Sequence, residues 1–146
     1  MAGIQQVSVF LENKSGRLAE VTQILAEAGI NLVALSIAET SDFGILRFIC
    51  DQPDQAARVL REGGFSVGET EVLAVQVPHR PGGLAEVVGV VNPLNVNIEY
   101  LYAFAGHTGQ DAVVVMRMEN THNQETAEAL QQAGYALLTP EQVYTV

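Results

Sequence analysis

The sequence predicts an α+β protein made of two similar domains, residues 1–70 and 71–146, and two observations carry this prediction. The first is an internal repeat, because the stretch from Asn13 to Leu32 aligns without a gap with the stretch from His79 to Ile98. The second concerns the spacing of apolar residues. In both copies, segments in which apolar residues recur at every second position alternate, in the same order, with segments in which they recur about every 3.6 positions, which indicates strands and helices. The residues identical in the two copies are Gly16, Leu18, Ala19, Glu20, Val21 and Asn31, matching Gly82, Leu84, Ala85, Glu86, Val87 and Asn97.

The first copy predicts the element order β-α-β-β-α-β. Apolar and β-branched residues alternate from Ile4 to Leu11, as in a strand. Four apolar residues then recur at helical spacing before Gly29 ends the helix. A hairpin of two strands, a helix beginning at Pro53 and a strand after Phe65 complete the copy. This order is the ferredoxin-like plan, in which two helices cover one face of an antiparallel sheet.

The second copy predicts the same order, with a short insertion around Gly106 to Gln110. Asn92-Pro93 replaces Ala26-Glu27, so its first helix should stop about a turn earlier than that of the first copy. We expect strands near Leu73–Val77, Asn97–Phe104, Ala112–Arg117 and Ala136–Tyr144, and helices near Gly83–Val91 and Asn123–Ala133.

Composition narrows the class of protein. The formal net charge of −10 argues against nucleic acid and anionic membranes as partners, since both select basic surfaces. No apolar run approaches the roughly 20 residues that span a bilayer, and no secretory signal opens the chain. Cys50 is the single cysteine, which fits a reducing compartment. We therefore expect a soluble cytoplasmic protein. Because no catalytic or nucleotide-binding motif is found, we expect no catalytic residues, no metal and no cofactor.

A polar turn precedes the first helix of each copy, "NKSGRL" in one and "HRPGGL" in the other. Helix N-termini bind carboxylates and phosphates through unpaired N–H groups. Three of the seven Lys and Arg residues, Lys14, Arg17 and Arg80, lie in these turns, so a small anionic group could be held there. A purely structural interpretation also fits, in which the glycines form the turns, Ser15 caps one helix and Pro81 begins the other.

These same stretches resemble the first strand, turn and helix of the ACT domain. Its pattern is a polar residue, a basic residue, Pro-Gly, a leucine-led helix and then "G-[IV]-N-[IL]"; "NKSGRLAE" with "GINL" and "HRPGGLAE" with "NVNI" follow it. The whole chain resembles stand-alone proteins made of two ACT domains. The resemblance implies the β-α-β-β-α-β plan and binding of an amino acid or similar small metabolite where ACT domains pair.

The resemblance also implies which residues bind. In amino-acid-binding members an Asn in the turn and a second Asn after the first helix contact the ligand, and Asn13, Asn31 and Asn97 match these positions. His79 replaces the turn Asn in the second copy, and Ser15 replaces the Pro in the first. The expected ligand-binding set is Asn13, Lys14, Ser15, Gly16, Arg17, Leu18 and Asn31, together with His79, Arg80, Pro81, Gly82, Gly83, Leu84 and Asn97.

Two differences from the family pattern qualify this expectation. Leu11 and Val77 stand where serine-sensing members carry a histidine, so serine specificity is not expected. Gly83 replaces Arg17, and with His79 in place of Asn13 this favours the first copy as the binding one.

The resulting hypothesis is a non-catalytic regulatory protein. It would form a homodimer and bind an amino acid at ACT domain interfaces. The ligand would stabilise one packing arrangement of the domains, and this change would be transmitted to a metabolic enzyme bound as a partner. Two alternatives stay open from the sequence: a dimerisation or interaction module for a metabolic enzyme that binds no ligand, and a small enzyme.

Overall fold

The computed structural model describes residues 3–39, 42–105, 111–119 and 122–145. The insertion expected around Gly106 to Gln110 lies outside these residues. The chain divides into an N-terminal unit, Gln5–Thr70, and a C-terminal unit, Met1–Ile4 with Glu71–Val146. The described elements are β1 Ile4–Glu12, α1 Arg17–Glu27, β2 Leu32–Glu39, β3 Phe43–Cys50, α2 Pro53–Glu62, β4 Ser66–Pro78, α3 Gly83–Val91, a 3-10 turn Asn92–Leu94, β5 Ile98–Ala105, β6 Asp111–Met118, α4 Asn123–Gln132 and α5 Pro140–Tyr144.

The N-terminal unit has the ferredoxin-like fold that the sequence predicts. Its strands lie in the order β2-β3-β1-β4, with β1–β3 and β2–β3 antiparallel. The side chains of β1 alternate, so that one face of the strand packs against both helices. The buried cluster consists of Val7, Val9 and Leu11 of β1, Leu46, Phe48 and Cys50 of β3, Val21 and Leu25 of α1, Ile30, and Ala56 and Leu60 of α2.

The C-terminal unit repeats this arrangement with the strand order β4-β6-β5. Its core has equivalent members, such as Val75 on β4, Met116 on β6, Val87 on α3 and Leu130 on α4. Helix α3 has the predicted bounds and ends two residues earlier, in the alignment, than α1, because a 3-10 turn containing Pro93 follows it. Helix α3 is therefore shorter than α1, as the sequence predicts, but by two residues rather than by a full turn.

The predicted last strand, Ala136–Tyr144, is wrong beyond its first residues. Only one antiparallel bridge forms, Val75 to Leu137, after which the chain turns into α5. The cause is a capping box: the backbone N–H of Gln142 donates to Thr139 Oγ1 at 3.3 Å, and the Thr139 N–H donates to Gln142 Oε1 at 2.8 Å. Pro140 at the first helical position reinforces this helix start.

Within the described residues no helix is both long enough and apolar enough to cross a membrane.

Two glycines of α3 should respond in opposite ways to replacement by alanine. A Cβ at Gly83 would collide with the backbone carbonyl oxygen of Pro78, whereas a Cβ at Gly89 would meet nothing within 4 Å. We expect Gly83→Ala to lower the free energy of unfolding by about 1–3 kcal/mol, and Gly89→Ala to raise it by about 0.5–1 kcal/mol. Urea unfolding monitored by circular dichroism measures both; equal shifts for the two variants would contradict this packing.

Candidate functional site

Both polar turns have the same backbone conformation. Gly16 has φ 92° and Gly82 has φ 87°, so both glycines occupy the left-handed region that residues with a Cβ rarely adopt. Each glycine is the N-cap of the helix that follows, and no side chain caps either helix. Ser15 is therefore not the cap that the structural interpretation supposed. In the first turn the N–H of Arg17 donates to the carbonyl of Lys14 at 3.4 Å, and in the second the N–H of Gly83 donates to the carbonyl of Arg80 at 3.0 Å.

A cavity of about 150 Å³ lies beside the first turn, inside the N-terminal unit. Four residues of the expected ligand-binding set line it: Asn13, Lys14, Arg17 and Leu18. Ser15 and Gly16 lie in the turn, exposed and outside the lining. The rest of the lining is Leu11, Glu12, Ile37 and Gly44.

The mouth of this cavity carries charges of both signs. Lys14 Nζ lies 2.9 Å from Glu12 Oε2, and Arg17 Nη2 lies 3.4 Å from Glu12 Oε1. Arg17 Nη1 also contacts the Glu20 carboxylate at 3.1 Å. The hydrogen bond from Lys14, with the charges of Lys14 and Arg17, holds the pKa of Glu12 below its usual range. The cations are thus already paired with carboxylates of their own turn and helix.

A second, smaller cavity adjoins the same charged residues. It has a volume of about 110 Å³ and is lined by Phe10, Gly63, Gly64 and Phe65 as well as Glu12 and Arg17. Glu12 and Arg17 therefore border both cavities. The Arg17 side chain is only 31% exposed, less than Lys14 at 64%, so its position is the better defined of the two cations.

The second turn differs because Gly83 replaces Arg17. Gly83 is buried against the carbonyl of Pro78 at the end of β4, so the helix begins in contact with the strand. Arg80 pairs with Glu86 at 3.2 Å, and the Tyr135 hydroxyl donates to the same carboxylate at 3.4 Å. The other expected residues of this turn, His79, Pro81, Gly82 and Leu84, are exposed.

The structure does not bring the two asparagines of one copy together. Asn13 follows β1 where Glu12 pairs with Phe43, and its N–H donates to Asp42 O at 3.0 Å. Asn31 precedes β2 at the other end of β3, where Leu32 pairs with Cys50. The seven-residue distance along β3 corresponds to about 20 Å. No small ligand can contact both residues within one unit.

The same separation exists in the C-terminal unit. The turn at His79 follows Pro78, which pairs with Asp111 at one end of β6. Asn97 lies at the other end, where its carbonyl accepts a hydrogen bond from the N–H of Glu119 at 2.9 Å. The cause in both units is the helical crossover, which makes the first two strands of a copy parallel and places their starts at one end of the sheet.

Three cavity residues, Glu12, Ile37 and Gly44, were not predicted from the sequence, and Leu11 was considered only as the position where serine-sensing family members carry a histidine. Leu11 and Glu12 directly precede the turn, so their proximity to Asn13 follows from the sequence alone. Gly44 and Ile37 belong to the hairpin, and only the register that pairs Leu11 with Gly44 and Ile37 with Leu46 brings them to this end of the sheet.

Comparisons with known proteins agree with this fold. Residues 2–138 match the model of the ACT domain pair family. A crystal structure of protein BT0572 from Bacteroides thetaiotaomicron superposes with a TM-score of 0.91 at 43% sequence identity, covering 99% of this chain and 98% of that one. The regulatory subunit of aspartate kinase from Thermus thermophilus superposes with a TM-score of 0.65 at 17% identity, covering 89% of this chain and 92% of that one.

An aspartate kinase from Clostridium acetobutylicum shares the fold over a smaller part of its length. Its TM-score is 0.55 at 14% identity, and the match covers 90% of this chain but 33% of the enzyme. No curated protein sequence matches the chain.

The fold and the paired turns define a protein of two ferredoxin-like domains of the ACT type. The chain belongs to the ACT domain pair family, which confirms the resemblance of its turns and helices to that family.

Replacing Lys14 should raise the pKa of the Glu12 carboxyl. The folded state favours ionised Glu12, so this ion pair stabilises the protein at neutral pH, and the contribution disappears as the pH falls through the lowered pKa. We expect Lys14→Gln to move the pKa of Glu12 up towards its usual value, measured by NMR titration of the side-chain carboxyl. Arg58→Gln is the control, because Arg58 pairs with Glu62 at 2.8 Å. An unchanged Glu12 pKa in Lys14→Gln would refute the assignment.

Proposed function

We propose that the protein is a non-catalytic regulatory protein that binds an amino acid in the cavity beside the first turn. The observation that carries this proposal is the combination of Lys14, Arg17 and Glu12 at the mouth of one cavity. A free amino acid has a carboxylate and an ammonium group on neighbouring atoms, so it needs a cation and an anion close together. Asn13 adds an amide, which can donate to the carboxylate or accept from the ammonium.

The existing ion pairs are weak enough for a ligand to replace them. Glu12 and Lys14 are 60% and 64% exposed, and ion pairs between exposed charges contribute little to stability because solvent screens them. The Arg17–Glu12 separation of 3.4 Å is long for a charge-assisted hydrogen bond. A ligand that gives its carboxylate to Arg17 and its ammonium to Glu12 exchanges one set of opposite-charge contacts for another.

The first cavity is a better candidate than the second turn. Arg17 contributes a cation that Gly83 does not, and Arg17 lines a cavity together with Glu12 and Lys14. Pairing does not separate the turns, because Arg17 and Arg80 each contact a carboxylate of the helix that follows. Asn31 lies about 20 Å away along the sheet. If Asn31 contacts the ligand, it must do so from a second copy of the chain.

Regulation would follow from linkage between the ligand and one packing arrangement. A ligand that binds only one arrangement stabilises it by about 2.7 kcal/mol at 100 times its dissociation constant. The Thermus thermophilus neighbour is a regulatory subunit of aspartate kinase, and at 17% identity this likeness concerns the fold. We propose the corresponding role for this chain, with a metabolic enzyme as its partner. A cytoplasmic location fits the single free thiol, Cys50, which is buried.

A thermal-shift and calorimetric screen of the proteinogenic amino acids tests ligand binding. At least one amino acid should stabilise the protein at millimolar concentration, and Arg17→Gln should weaken that ligand about threefold to tenfold, since a partly exposed charge-assisted contact is lost. Arg58→Gln removes the same charge from the exposed face of α2 and should leave binding unchanged. No stabilisation by any amino acid on ligand-free protein would refute the proposal.

A second candidate, self-association without a ligand, is favoured by a separate observation. Leu18 and Leu35 are 41% and 50% exposed, and their equivalents 66 positions later, Leu84 and Leu101, are 43% and 36% exposed. Leu35 lies on β2 and Leu101 on β5, the strands at the ends of the two strand orders. Exposed apolar residues on edge strands are typical of surfaces that pair with another chain.

Sedimentation equilibrium tests this second candidate. We expect the protein to sediment as a dimer at micromolar concentration and Leu35→Lys to shift it towards the monomer, because a charge would be buried in the contact. Gln23→Lys, an exposed change on α1, should leave the dimer intact. A monomer in the unmodified protein would eliminate self-association as a function.

A further inference from the structure

The cavity beside the first turn has a charged side and an apolar side. On the charged side, Glu12 ends β1, Asn13 and Lys14 lie in the turn, and Arg17 begins α1. Leu11, Leu18 and Ile37 come from three different elements, β1, α1 and β2, and none carries a polar side-chain atom. A ligand bound by its charged end would therefore extend its side chain along these three residues.

Gly44 gives the apolar side its depth. It is the register partner of Leu11, and both residues line the cavity on the helix-covered face of the sheet. A residue with a side chain at position 44 would project into the same space, since cross-strand partners on one face lie about 5 Å apart. Ile37 flanks this position from the edge strand and is 44% exposed, so its side chain has surface available for a ligand.

The volume indicates the size of group that fits. The cavity measures about 150 Å³. An apolar cavity of that order holds a benzene-sized group in another protein.

We infer that the ligand is an amino acid with an apolar side chain of four or more carbons, such as leucine, isoleucine or phenylalanine, held by its charged end at Glu12 and Arg17 with its side chain on Leu11, Leu18 and Ile37. This inference rests on the proposed function and adds the class of ligand. A ligand carboxylate or ammonium that lies on Leu11, Leu18 and Ile37 loses hydration and gains no partner among these three side chains.

Titration calorimetry of the full chain tests the inference with leucine, isoleucine and phenylalanine against alanine, serine, aspartate and lysine. We expect leucine to bind at least about tenfold more tightly than alanine or serine, since three additional carbons are partly removed from water. Ile37→Ser should reduce this leucine preference about threefold or more while the weak binding of alanine changes little. Ala38→Ser is the control, because Ala38 is exposed, pairs with Ile45 on the opposite face of the sheet and does not line the cavity.

Gly44→Ala provides an independent test, because it reduces the volume of the cavity and leaves its polarity unchanged. The added methyl group should weaken phenylalanine and leucine about tenfold or more and leave alanine within about twofold. Circular dichroism and an unfolding curve on each variant establish that it is folded before its affinities are compared.

The possible outcomes distinguish amino-acid binding, which is the proposed function, from the preference for apolar side chains. Binding of serine, aspartate or lysine as tightly as leucine would overturn the apolar preference and leave amino-acid binding intact. A preference for leucine that is unchanged in both Ile37→Ser and Gly44→Ala would overturn the placement of the side chain in this cavity. No binding of any amino acid would overturn the proposed function and this inference together.

Discussion

The left-handed glycine at the start of each first helix is the constraint on which the rest of the fold depends. With φ near 90° at Gly16 and Gly82, the chain leaves a strand and enters a helix within four residues. A residue with a Cβ would be strained there. This reversal directs each helix back over the sheet, where its apolar residues meet alternate residues of the strands. The turn therefore determines which face of the sheet is buried and where the helix N–H groups lie.

The same constraint permits two different sites. Because the glycine alone forms the turn, the residue after it can differ between the copies. It is Arg17 in the first copy and Gly83 in the second, and the two residues make different contacts. Arg17 extends a charged side chain between two cavities. Gly83 lets the helix approach the carbonyl of Pro78, which no residue with a Cβ could do without movement. The two copies share the fold, while Arg17 borders two cavities and Gly83 makes a close backbone contact.

Most of the elements could be predicted from the sequence, and so could four of the residues that line the first cavity. The bounds of α3, Gly83–Val91, follow from its glycine start and from Asn92-Pro93, and these are local signals. The strand predicted over Ala136–Tyr144 failed because the element order of the first copy was extended to this segment, whereas Thr139 and Gln142 form a local capping box that starts a helix. The sequence did not predict that Ile37 and Gly44 line the cavity, since their position there depends on the cross-strand register. Register is determined by the packing of the whole sheet rather than by a short motif.

In the proposed binding mode, charge pairing in the first turn would let a net-acidic protein bind a zwitterion without a strong electrostatic field. Glu12 is held ionised by Lys14 and Arg17, so the turn carries both signs of charge before any ligand arrives. A zwitterion is attracted by such a pattern only at short range, because opposite charges cancel at a distance and exposed charges are screened within about 10 Å. Under that proposal the charged residues would orient the ligand and discriminate little between amino acids. Discrimination would come from Leu11, Leu18 and Ile37, because each additional buried carbon contributes about 0.8 kcal/mol and each unpaired polar group costs more than that.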